Sequence, residues 1–473
     1  MKKIVALVTL ILLVFGMTAC KANETADLLN PDKPIVVTIW HYYNGSTKEA
    51  FDSLIREFNE TIGMERGIVI DAQSQGDVTQ LATSVFDAAN ESIGAAPMPD
   101  IFASYPDNAY RVHQIKPLVY LETYFSEEEL AKYRQDFLDE GRFITDNHYY
   151  IVPIAKSSET LYVNKREWEK FADSHGYDDE KLSTWEGIYD VAKRYHEETG
   201  KGFFSIDANA NFILVTAKQM GSELYTYSED GTAVFNMPKE VAKRIWDYLY
   251  TPYINGYYVK TGRFSSDDAK TETVLAYTGS TAGAAYFPMT VTPSEYEEYE
   301  TEPLVMPYPH YDDGEKISIQ QGAGMCIAKS DSAHEYAASL FLKWFTGKEQ
   351  NLKFAISTGY FPVENEALDE TEMLKEVTAN PAIIESIKAS SVMFRDYSLY
   401  NSKPFAGSYE MRELLENNLF GKMTGDLSLL NDRVATGESR ESVAKELTSE
   451  QSFEEWYGEI NREMKLLSEQ FGH

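Results

Sequence analysis

Apolar positions recur along this chain in two rhythms. Residues 35–40 form a nearly continuous apolar run that reads as a buried strand. After it, Phe51, Leu54, Ile55 and Phe58 fall at the spacing of one helical face. A short strand is expected at 68–70, then a helix with Val78, Leu81, Ala82, Val85, Phe86 and Ala89 on one side. A third strand is expected at 101–103, just after Pro99 and Asp100. This β-α-β-α-β alternation predicts a parallel sheet covered by helices. In such sheets ligands bind beyond the carboxyl ends of the strands. Those ends are Trp40 to Tyr43, Gln73 to Gly76, and Ser104 with Tyr105.

The middle of the chain repeats the pattern. Strands are expected at 149–154 and 159–164. Ser183-Thr184-Trp185-Glu186 has the form of a capping box and predicts a helix to about Glu198, stopped by Gly200. A helix is expected over 238–250, a short strand at 274–277, and a strand-like stretch at 318–328 around Gly322-Ala323-Gly324. Helices dominate beyond Ser332, and the last places Phe453, Trp456, Tyr457, Ile460, Met464, Leu467 and Phe471 at helical spacing. The body is too long for one core, so two lobes are expected. No linker separates them, which implies that the chain crosses between them more than once.

The N-terminus changes the picture. Lys2 and Lys3 precede an apolar run over 4–15, then Gly16-Met17-Thr18-Ala19-Cys20. This is the order of a secretory signal, and the run is short for a membrane-spanning helix. Small residues directly before Cys20 resemble a bacterial lipobox, in which the leader is cut before the Cys and the thiol is acylated. Met17 stands where Leu is usual. Residues 21–33 are polar and aperiodic, as expected of a tether. The other cysteine, Cys326, sits in an apolar run and reads as a core residue.

A net charge of −32 argues against nucleic acid as a partner, since its binders neutralise phosphates with Lys and Arg. The 32 Tyr and 6 Trp permit sugar binding without requiring it. No Gly-x-Ser-x-Gly elbow, His-Glu-x-x-His pair or phosphate-cradling glycine loop with Lys is present. Asp107 and Glu159 are the carboxylates nearest to strand ends, but nothing pairs them as in a glycosidase. His41 and His113 are isolated and read as hydrogen-bonding residues. No enzyme activity, metal or cofactor is therefore expected.

Several stretches, taken in order, carry a resemblance. They are Trp40-His41, Phe51-Asp52-Ser53-Leu54 with Phe58-Asn59, the run from Ser157 to Lys165, and Thr184-Trp185-Glu186. Gly279-Ser280-Thr281, Gly322-Ala323-Gly324, Lys343-Trp344-Phe345 and Thr358-Gly359-Tyr360-Phe361-Pro362 follow. Together they resemble the bacterial extracellular solute-binding proteins of the type that includes maltose- and glycerol-3-phosphate-binding receptors. The resemblance implies a two-lobed α/β periplasmic-binding-protein-like fold of type II, each lobe a mainly parallel sheet flanked by helices, with a hinge between. It implies a signal peptide over 1–19, a lipid-anchored tether over 20–33, lobe one over 34–155 and 281–327, and lobe two over 156–280 and 328–473. It places Trp40, Tyr42, Ser104, Tyr105, Ser158, Trp185, Ser280, Gly322 and Tyr360 around the ligand.

The family further implies a monomeric receptor on the outer face of the bacterial cell membrane, held by acylated Cys20, that delivers its cargo to the permease of an ABC importer. The glycerol-3-phosphate branch has a phosphate-binding Arg before the late helix. Here Lys403-Pro404 stands nearby instead, with Arg395 eight residues away as a stand-in. Without a bidentate Arg a phosphate is held less specifically, so a neutral mono- or oligosaccharide is the expected cargo. A phosphorylated polyol is the alternative; a glycoside-processing enzyme or a ligand sensor ranks below both.

Overall fold

The computed structural model describes residues 28–143, 146–227, 232–377, 380–401 and 403–471. The residues expected to form the leader and most of the tether, Cys20 among them, lie outside the described residues. Two four-stranded sheets organise the rest.

In the first sheet Ile35–His41 lies between Ile68–Ser74 and Ile101–Ser104, parallel to both. Gly324–Ile327 closes the far edge, antiparallel to Ile101–Ser104. The helices expected between these strands are Gly45–Phe58 and Val78–Ala89. Phe51, Leu54, Ile55 and Phe58 are all buried, as their spacing required. Asp77 caps the second helix by accepting from the Gln80 N–H, and the Gln80 side chain returns the bond. Val37, Ile39, Phe51, Phe58 and Phe102 form the heart of the first core.

The second sheet runs in the order Pro303–Pro307, Glu159–Asn164, Ala276–Ser280, Phe204–Ile206. Glu159–Asn164 is antiparallel to both neighbours, and only Phe204–Ile206 pairs parallel, with Ala276–Ser280. This lobe therefore holds a mixed sheet rather than a mainly parallel one. Helix Trp185–Thr199 starts at the expected Thr184 cap and ends at Gly200, whose φ of 72° satisfies the left-handed turn that stops it. The final helix, Glu450–Phe471, buries Phe453, Trp456, Ile460 and Met464 against this second core.

Packing redraws the expected lobe boundaries at two places. Pro303–Pro307 belongs to the second sheet, because its backbone pairs with Glu159–Asn164. Helices Ser332–Thr346 and Lys348–Thr358 belong to the first core, where Phe341, Phe345 and Phe354 pack edge-on against Phe51 and Phe58. Between the lobes four segments lie side by side. Lys156 pairs with Phe361 and Ser157 with Gln321, while Ile317–Ile319 runs parallel to Ser398–Tyr400. Among the described residues, no helix is long and apolar enough to cross a membrane. Cys326 is buried in Gly324–Ile327, and burial pushes its thiol pKa up, as a core cysteine requires.

Candidate functional site

The carboxyl ends of the first sheet meet the second lobe across a cleft. From the first lobe come Tyr42, Ser104 and Tyr105, and then Asp107 and Asn108 from the start of helix Pro106–His113. From the second come Asn211 and Leu214 on helix Asn209–Gln219. Tyr409, Met411, Arg412 and Glu413 are added by the first turns of helix Ser408–Ala435. Crossover residues Ile319, Gln320 and Gln321 form the floor.

Two adjoining cavities occupy this cleft. The outer one, about 260 Å³, lies between Tyr42, Ser104 and Asn108 on one side and Tyr409 and Glu413 on the other. The inner one, about 70 Å³, lies against the crossovers between Glu140, Asn211, Gln320 and Lys403. Tyr105, Asp107 and Arg412 border both. The mixture of phenol rings, amides and charges of both signs suits a ligand with apolar faces and many hydroxyls.

The electrostatics centre on Arg412. Its Nη2 donates to Asn211 Oδ1 at 2.7 Å, and Asn211 Nδ2 donates to Glu159 Oε1 at 2.6 Å. Burial pushes the Glu159 carboxyl up to about 7. Burial also raises the pKa of Asp107, with Arg412 opposing that shift. Below the floor, fully buried Lys156 donates to Glu140 and, at 2.6 Å, to the Gly322 carbonyl. Gln320 Nε2 donates to the same Glu140 carboxylate at 3.0 Å.

The lobes also touch at the cleft mouth. The Arg111 guanidinium of the first lobe lies 4.1 Å from the Phe86 ring and 4.1 Å from the Tyr409 ring of the second. Arg263 Nη2 of the second lobe donates to Asp77 Oδ2 of the first at 3.3 Å.

Two lobes, crossing segments and a polar cleft between them are the architecture the sequence led us to expect. The family model for bacterial extracellular solute-binding proteins matches residues 53–385, more than half of the chain. The chain belongs to this family. An arabinooligosaccharide-binding protein of Halalkalibacterium halodurans is 22% identical over 234 residues, 48% of this solute-binding protein and 49% of that relative. The match thus spans about half the length of the curated relative. Among solved structures, the cyclic alpha-maltosyl-1,6-maltose binding protein from Arthrobacter globiformis superposes with a TM-score of 0.66 at 18% identity, covering 92% of this chain and 100% of that one. UgpB from Mycobacterium tuberculosis, solved in complex with glycerophosphocholine, gives 0.63 at 14% identity, covering 92% and 98%. Both share the fold of this solute-binding protein.

Of the residues expected around the ligand, the structure brings Tyr42, Ser104 and Tyr105 together on the cleft wall. Tyr360 stands beside Tyr42. Gly322 lies at the floor with φ +91°, where a Cβ would meet the Ala155 carbonyl at 2.4 Å.

The others stand elsewhere. Trp40 is only 5% exposed and belongs to the first core, because its position in the strand turns the ring inward. Trp185 is 1% exposed, packed edge-on to Phe204, Phe212 and Tyr308. Ser158 Oγ donates to the Ile319 carbonyl at 2.7 Å and also meets Ser318 Oγ at 2.9 Å, so it ties the crossovers together. Ser280 caps a turn by accepting from Ala282 N–H at 3.3 Å. Arg395 is a surface residue, 66% exposed and paired with Asp396. Lys403 does border the inner cavity, with Nζ donating to the Asp139 carbonyl at 2.9 Å.

The sequence reading missed Arg412, Asn211, Tyr409 and Glu140. A signal for Arg412 existed: an arginine was sought before the late helix, and this one lies one turn inside it.

Proposed function

We propose that this protein captures a neutral polyhydroxylated solute, a mono- or oligosaccharide, between its lobes and releases it unchanged to the permease of an ABC importer. The observation that carries the reading is the cleft itself. Tyr42 and Tyr105 of one lobe face Tyr409 and Arg412 of the other, with amide and carboxylate groups between them. Tyrosine faces cover the C–H surfaces of a sugar, while amides, carboxylates and the guanidinium hydrogen-bond its hydroxyls. A solute that touches both lobes binds the closed arrangement better and shifts the population toward it. The arabinooligosaccharide-binding relative and the maltosyl-maltose-binding structure support a saccharide. In this reading acylated Cys20 holds the receptor at the outer membrane face, and Cys20→Ala protein is released from the membrane with binding intact.

A second reading has one observation in its favour. Arg412 and Lys403 border the same inner cavity, where a phosphodiester could lie, and the UgpB structure holds glycerophosphocholine. The neutral cargo is preferred because Asp107 opposes Arg412 and Asp139 opposes Lys403, so that each cation already has a carboxylate near it.

The test is a melting-shift panel on residues 22–473, covering mono- and oligosaccharides, sugar phosphates, glycerol-3-phosphate and its diesters. A ligand at 100 times its Kd adds about 2.7 kcal/mol, a shift of several degrees. A neutral saccharide that shifts the melt and is recovered unchanged supports the proposal. A shift confined to phosphorylated compounds replaces it with the second reading, and a cleaved sugar overturns both.

A further inference from the structure

Glu159 opens the strand that leaves the first crossover, and its carboxylate is a junction. Oε1 accepts from Asn211 Nδ2 at 2.6 Å and from Gln321 Nε2, on the second crossover, at 3.0 Å. Its backbone carbonyl accepts from Ser318 Oγ at 3.3 Å. Asn211 is buried, and chemistry dictates which way its amide points. Its oxygen must face the guanidinium of Arg412, which can only donate, and its nitrogen must face the carboxylate. A continuous path therefore runs from the crossovers through Glu159 and Asn211 to the one guanidinium that borders both cleft cavities among the described residues.

We propose that Glu159 is a positioning residue: through Asn211 it aims Arg412 at the cargo, through Gln321 it fixes that aim to the crossovers, and its protonation sets how much of the Arg412 charge reaches the cleft. The proposal rests on the cleft being the cargo site, but its test does not use a cargo. The groups that face Glu159 are Arg412 and Glu416 on helix Ser408–Ala435, Asp207 just before helix Asn209–Gln219, and Tyr308. Glu416 is held by the Ala210 N–H at 2.8 Å, and Asp207 by the Ser265 N–H at 2.8 Å. Across the cleft stands Asp107. An ionised Glu159 compensates the guanidinium from behind. A neutral Glu159 leaves that charge to Asp107 and to whatever lies in the cleft. Burial places the change near neutrality, at about pH 7.

The experiment records the side-chain amide resonances of Asn211 and Gln321 and the guanidinium resonances of Arg412 in the ligand-free chain from pH 5 to 9. The Asn211 amide is expected to titrate with a midpoint near 7. In Glu159→Gln, whose amide oxygen still accepts from Asn211, the profile is expected to go flat while Arg412 keeps its restrained signal. In Asn211→Ala the Arg412 signal is expected to move to the position of a freely rotating arginine. An Asn211 resonance that stays flat in the unaltered chain overturns the proposal, and so does an Arg412 signal unmoved by Asn211→Ala. Because no cargo is used, either failure leaves the saccharide reading untouched.

Discussion

Replacing Glu159 by Gln should change the pH dependence of stability, and the size of the change can be worked out. In the fold this carboxyl titrates at about 7, against an ordinary 4.5, because burial disfavours its charged form. That difference corresponds to about 3 kcal/mol. The folded pKa lies above the unfolded one. Below pH 4.5 both states hold the proton and the fold carries no penalty; the penalty grows between 4.5 and 7 and is constant above 7. Gln cannot ionise, so Glu159→Gln escapes the penalty while keeping an acceptor for Asn211. Urea denaturation of both proteins at pH 4.5 and pH 8 isolates the effect, since any cost of the amide itself is common to both conditions. The variant should gain about 3 kcal/mol relative to the unaltered chain on going from pH 4.5 to pH 8. A difference in stability that stays constant across that range, within about 1 kcal/mol, would refute the reasoning.

Three further outcomes follow from the packing. Lys156→Met leaves Glu140 buried with Gln320 as its side-chain partner among the described residues; it should destabilise by about 3–5 kcal/mol in urea melts, and adding Glu140→Gln should restore most of the loss. Trp185→Ala should cost about 3–5 kcal/mol of stability yet leave cargo affinity unchanged in titration calorimetry, because the ring lies in the second core. Cys326 should resist a thiol-specific chromogenic reagent in the folded chain and react only after denaturation, since it is fully buried and its thiol is held protonated.

What the sequence made legible was local. The spacing of Phe51, Leu54, Ile55 and Phe58 reports the buried side of a helix, and Thr184 with Gly200 marks both ends of another. Tyr42, Ser104 and Tyr105 could be placed at the cleft because strand ends in a parallel sheet are readable from the β-α-β pattern. Trp40 lay two residues from Tyr42 and was misplaced, since pattern alone does not show where a strand's end turns from core to cleft. The lobe boundaries failed for a related reason. An amphipathic helix such as Ser332–Thr346 announces that it covers a core, not which core. The setting of Arg412 was not legible because it is tertiary: it depends on Asn211 and Glu159, distant in sequence, arriving beside one turn of a helix.

The central claim is that cargo binds between the lobes, against Tyr105 and Arg412. Titration calorimetry with the compound that most raises the melting temperature tests it directly, using the unaltered chain, Tyr105→Ala, Arg412→Ala and the surface control Arg395→Ala. The account predicts one-to-one binding, weakened about tenfold or more in Tyr105→Ala and Arg412→Ala, the cost of one lost charge-assisted or aromatic contact, and unchanged in Arg395→Ala. Binding that survives both cleft substitutions, or that is lost in Arg395→Ala, would contradict it.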